Sequence, residues 1–149
     1  MFTGIIISQF VLEGNFVMPK PTVFIASPYT KGDVAINTHF QCKIFDKLLT
    51  DGRVLPVAPL WSHFQHLLFP RPYADWIRYD QDMLRLYDCC LRLSAVLEAQ
   101  GYTQIESSGA DAEVETFKNM GKPVFYSIRD LYVWVDRLSL EAGASGTHS

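Results

Sequence analysis

Cysteine is scarce in this chain. Three residues, Cys42 and the adjacent pair Cys89 and Cys90, are too few and too poorly spaced for a disulfide framework. Neighbouring cysteines in an apolar run read as small core side chains, a usage that fits a reducing cytoplasm. Positive charge is not in excess either: 13 Lys plus Arg stand against 16 Asp plus Glu, for a net charge of −3. A nucleic-acid polymer is therefore not an expected partner, although a single charged small molecule in a local cleft remains compatible. No apolar run is long enough for a membrane span. The stretch Gly4–Ser8 is short, follows no basic residue and precedes no small-residue cleavage site. The phosphate loop GxxxxGK[ST], the dinucleotide fingerprint GxGxxG and the GxSxG elbow are all missing, which sets aside P-loop NTPases, dinucleotide enzymes of that type and serine hydrolases. Internal repeats and low-complexity tracts are missing too.

What is present is enough for one domain with a proper core: 149 residues, 48% hydrophobic and 13% aromatic. Met18 opens Met18-Pro19-Lys20-Pro21 directly before a strong apolar run, so residues 1–17 read as an extension ahead of the domain. The domain itself is expected over residues 18–140. The small, polar, glycine-bearing stretch Glu141–Ser149 reads as a loose tail.

Within those limits strands and helices alternate. Thr22–Ser27 is a short continuous apolar run, the mark of a strand buried on both faces. From Asp33 to Leu49, Ala35, Ile36, Phe40, Ile44 and Leu48 fall at helical spacing, and Asp51-Gly52 ends the pattern. Val54–Ala58, Cys89–Leu93 and Val124–Tyr126 read as further strands. Helices are expected over Tyr73–Tyr87 and Gly109–Met120, and one more through Leu131, Val135 and Leu138. This alternation predicts a doubly wound α/β domain, flavodoxin- or Rossmann-like, with a parallel sheet of four to five strands and helices on both faces. Ligands in such sheets bind beyond the carboxyl ends of the strands. Chemistry is therefore sought after Ser27, around Tyr87–Ser94 and along Glu106–Glu113.

Two carboxylates stand in unusual places. On the helix from Tyr73, Asp75, Arg78, Asp82 and Arg85 form a solvent stripe of alternating sign, while Trp76, Asp80, Met83, Leu84 and Tyr87 form the opposite stripe. Asp80 on that apolar face is either an edge residue with a basic partner or a desolvated carboxyl holding a proton near neutrality. Glu113 shares a stripe with Ala110, Phe117 and Met120, whereas Glu115 faces Lys118 and solvent. Ser108 with Asp111 matches a capping box, so the Ser107-Ser108-Gly109 turn is either a plain helix start or an anion or ribose site bordered by Glu113. One raised carboxylate (Asp80) beside one ionised carboxylate (Glu113) is a layout for cleaving a glycosidic bond. Tyr29, just past Ser27, suits orienting a carboxylate or stacking on a base. His63 and His66 lack a third ligand at a recognisable spacing, so no metal is expected. With Trp61, Phe64 and Trp76 they read as an aromatic lid.

The runs IASPYTKGD (Ile25–Asp33), DQDMLRLYDCCLRLS (Asp80–Ser94) and SSGADAEVE with GKPVF (within Ser107–Phe125) resemble the nucleoside 2-deoxyribosyltransferase superfamily, which includes the 2-deoxynucleoside 5-phosphate N-hydrolases. The resemblance covers about Val23 to Ile128 and leaves out Trp61–Pro72. It implies a retaining N-glycosidase in which Glu113 attacks C1 of the sugar and Asp80 serves the departing base. Transferases acting on free nucleosides carry an aspartate six residues before the glutamate. Ser107 stands there in this chain, and a hydroxyl beside the amides near Gly109 favours a 5-phosphate over a free 5-hydroxyl. The resemblance thus implies Ser27, Tyr29, Ser107 and Gly109 at the substrate, no cofactor, and a homodimer. Transfer of deoxyribose between bases, NAD cleavage of the TIR-like kind and a non-catalytic nucleotide-binding module are the competing readings.

Overall fold

The computed structural model describes residues 19–94, 98, 101 and 106–145. Four strands form one all-parallel sheet: β1 (Thr22–Ala26), β2 (Leu55–Val57), β3 (Cys89–Arg92) and β4 (Val124–Phe125), in the order β2-β1-β3-β4. Helices α1 (Val34–Asp51) and α5 (Ile128–Ser145) cover one face. Helices α3 (Tyr73–Leu84) and α4 (Ser108–Asn119) cover the other. The doubly wound α/β architecture is therefore as the alternation predicts. A one-turn 3-10 segment, Pro59–Trp61, and the short helix α2 (Ser62–Leu68) occupy the stretch between β2 and α3.

The pleat of β1 divides the core. Val23 and Ile25 point into the α1/α5 layer with Phe40, Ile44, Leu48, Leu131 and Val135. Phe24 and Ala26 point into the α3/α4 layer with Leu84, Tyr87, Ala110, Val114 and Phe117. Every one of these strand residues is essentially buried, which is why the run shows no alternation in sequence. Phe24 anchors its layer between Tyr87 and Phe117, with ring centroids 5.5 and 5.8 Å away.

Several boundaries differ from the expected ones. Of the expected α1 stripe, Ala35 and Ile36 are exposed, because the first turn follows the carboxyl end of β1 and overhangs the sheet. Thr38 and Gln41 are buried in that helix instead. The α1 start is set by Asp33, whose carboxylate accepts from the Ala35 and Ile36 amides. Its end is set by Gly52, at φ +67°, where a side chain would be strained. Helix α3 stops at Leu84, short of Tyr87. Helix α5 continues to Ser145, so Glu141–Ser145 is helical rather than part of a loose tail: one glycine among helix-compatible residues does not stop a helix already docked through Leu131 and Val135. Residues 1–18, and with them the expected extension over 1–17, residues 146–149 and, apart from Glu98 and Gly101, the stretch 95–105 lie outside the described residues. All three cysteines are free, with Cys89 and Cys90 buried in β3 as core side chains, where burial pushes the Cys90 thiol up to about 12. Among the described residues no helix is long and apolar enough to cross a membrane.

Candidate active site

In the order β2-β1-β3-β4 the chain reverses its winding direction between β1 and β3, and a crevice opens at their carboxyl ends. A cavity of about 290 Å³ lies there. Its walls include Ser27 and Tyr29 after β1, Asp80 from α3, and Ser107, Gly109 and Glu113 at the start of α4. All six site residues expected from sequence therefore meet in one place, although they come from three separate stretches of chain.

The loop after β1 is held by α1. The Asn37 side-chain amide donates to the carbonyls of Tyr29 (2.8 Å) and Lys31 (2.7 Å). Deeper in, the Gln41 amide nitrogen donates to the Ile25 carbonyl (2.8 Å) and to Ser27 Oγ (3.0 Å), while its oxygen accepts from the Leu60 amide (2.9 Å). One fully buried side chain thus ties the end of β1 to the segment after β2 and fixes the cavity floor. Tyr29 is partly buried, and desolvation lifts its phenol above the ordinary value.

Helix α4 supplies a second wall. Its N-cap is Ser107, not Ser108: the backbone at Ser107 is extended and its Oγ accepts from the Ala110 amide at 3.2 Å. The expected capping box with Asp111 does not form, because Asp111 turns to the buried guanidinium of Arg92, at 3.2 Å from Nε and 3.1 Å from Nη2. The Ser108 and Gly109 amides belong to the first turn, where no intrahelical carbonyl reaches them, and the Ser107 hydroxyl hydrogen remains able to donate.

Both carboxyls line the cavity, Asp80 from α3 and Glu113 from α4. Burial pushes Asp80 up to about 6. Glu113 goes further, to about 8, first through burial and then through repulsion from Asp80, with the Arg92 charge opposing both. The expected division into a raised Asp80 and an ionised Glu113 is thus corrected: both are raised, Glu113 the further, because desolvation and the Asp80 charge add at it. Together they retain a proton near neutral pH. Glu115, by contrast, pairs with Lys118 at 2.7 Å on the exposed face.

The mouth is built from α2 and α3. His66 Nδ1 accepts from Trp76 Nε1 at 3.0 Å and from the Arg71 amide at 3.3 Å, so this imidazole pins the aromatic segment to α3. Phe64 is exposed, and the side chain of His63 lies outside the described residues. Among the described residues no group of three or more His, Cys, Asp or Glu side chains is placed to hold a metal ion. Sequence reasoning missed Gln41, Arg71 and the Arg92–Asp111 pair. Two of these carried a usable signal. Gln41 lies on the apolar stripe of its helix with Ile44 and Leu48, and Arg92 interrupts an otherwise apolar strand.

No family model, curated protein or solved structure matches this chain.

Proposed function

We propose that this protein is an N-glycosidase that hydrolyses a nucleoside 5-monophosphate to free base and sugar phosphate. The observation that carries the reading is the convergence of two partly buried carboxyls, Asp80 and Glu113, beside a helix N-terminus in one switch-point cavity, where burial raises both. The pair's proton passes from Glu113 to Asp80, and Glu113, now ionised, attacks C1 of the sugar. The C1–N bond breaks, the Asp80 proton passes to the leaving base, and a glycosyl–Glu113 ester remains. Water then attacks C1, Glu113 leaves as carboxylate, and Asp80 takes the water's proton. Arg92 favours the ionised glutamate at the moment of attack. The Ser107 hydroxyl and the Ser108 and Gly109 amides receive the 5-phosphate, and Tyr29 and Ser27 line the sugar side.

This chemistry needs no cofactor and no metal, and its partner is a small molecule rather than a nucleic-acid polymer or a membrane. The free thiols suit a cytoplasmic setting. Exposed Leu67, Leu68 and Phe69 on and after α2, with Val133 and Leu140 on α5, offer apolar surface for a homodimer. The test is a chromatographic screen of ribo- and deoxyribonucleoside monophosphates for released base, run with wild type, Glu113→Gln and Asp80→Asn. Base release that depends on both carboxyls is expected. Release unaffected by Glu113→Gln overturns the mechanism.

A further inference from the structure

The cavity at Glu113 has a larger neighbour that the reaction just described leaves unused, of about 850 Å³. The two adjoin: Pro59, Ser62, Arg71, Trp76 and Asp80 line both, whereas Glu113 lines only the smaller. Beyond Asp80 the walls are apolar and aromatic, with Phe45, Trp61, Tyr79 and Met83 prominent, and Gln65 and Asp75 add polar groups. Trp61 and Tyr79 are each 53% exposed, an uncovered aromatic area at the edge of a functional cleft.

The inference rests on the N-glycosidase reading and concerns its leaving group. In that reading C1 faces Glu113 and the departing nitrogen faces Asp80. The base therefore lies on the Asp80 side, and any substituent on it projects into the larger cavity. A volume of that size is one that encloses a whole drug-like ligand, well beyond what a bare purine or pyrimidine fills. Its lining is one that gains by covering apolar rings rather than by pairing polar edges. The geometry points to a substituted base as the leaving group: a purine or pyrimidine that carries an apolar, ring-sized substituent seated between Trp61, Trp76 and Tyr79. The reaction is unchanged by the substituent, since the same C1–N bond breaks and the same proton moves from Asp80.

The experiment is a comparison of adenosine 5-monophosphate with its N6-benzyl derivative, and of the two 2-deoxy counterparts, with the released bases measured chromatographically. A preference in kcat/KM for the benzyl compound of about tenfold or more is expected, the scale of discrimination that an apolar group in a fitting pocket gives. Gln65→Trp, at an exposed position on α2, places an indole in the larger cavity and should bring that ratio down towards one. A folding defect would lower both rates and leave the ratio where it was. Equal rates, a preference for the unsubstituted nucleotide, or a preference untouched by Gln65→Trp overturns the inference and leaves the N-glycosidase reading standing. Release of neither adenine, whatever other base is released, overturns it as well. Release of no base from any nucleotide removes the reading on which it rests.

Discussion

Replacing Glu113 by glutamine should make the protein more stable and inactive at once, and the gain should depend on pH. The carboxyl is raised from 4.5 to about 8 by burial and by Asp80. An acid raised in this way binds a proton in the folded state that the unfolded chain gives up. Its contribution to stability is whole below about pH 4.5 and is lost as pH climbs through about 8. At about 1.4 kcal/mol per pH unit the limit over that interval is about 5 kcal/mol. Water entering through the cavity screens part of it, which leaves about 2–3 kcal/mol near pH 9. Glutamine is nearly isosteric and carries no charge at any pH, so the variant escapes this loss. Near pH 5 the two proteins should agree within about 0.5 kcal/mol. Near pH 9 the variant should melt about 5–10 °C higher, taking about 2–4 °C per kcal/mol for a chain of this size. Paired calorimetric melts at the two pH values measure this, with base release assayed on the same samples. A difference that does not grow with pH, or a variant that is less stable at pH 9, would show that Glu113 is not a desolvated carboxyl. The chemistry assigned to it would then fall with it.

Three further outcomes are expected. Ser107→Asp keeps a good N-cap for α4 but sets a fixed negative charge against the 5-phosphate, so activity on a monophosphate should drop by about a hundredfold while the matching free nucleoside loses much less; kcat/KM on both substrates reads this, and parallel losses would make Ser107 a cap alone. Gln41→Leu removes two buried hydrogen bonds and the partly buried one that satisfies the Leu60 amide, and should cost about 2–3 kcal/mol in urea denaturation; a neutral result would mean that the cavity floor does not depend on it. Light scattering at micromolar concentration should give a dimer, and Leu68→Glu together with Phe69→Glu, both highly exposed, should yield monomer; a wild-type monomer ends the dimer proposal.

The α/β architecture was legible in the chain because buried parallel strands and amphipathic helices have different periods, and those periods are local. Strand β1, and β3 up to Arg92, appear as apolar runs since helices cover both faces of each. Helix phase was also enough to single out Asp80 and Glu113: a carboxylate on an apolar stripe is visible before any contact is known. Element ends were less legible. The end of α5 is decided by docking through Leu131 and Val135, and the cap of α4 by the extended backbone at Ser107, neither of which spacing encodes.

What the sequence alone determined, then, is the layer order and the two carboxyls that leave the rule of polar residues outside. What only the tertiary structure decided is how those carboxyls share a proton. Their order follows from desolvation and from neighbours distant in sequence: partly buried Glu113 feels the charge of Asp80 from another helix, and Arg92 of β3 opposes it. The same holds for the Gln41 bonds, which join β1, α1 and the segment after β2, and for the second cavity that meets the first at Asp80 and Trp76. Desolvation and Coulomb repulsion act through space, so they come into being only when the chain has closed around them.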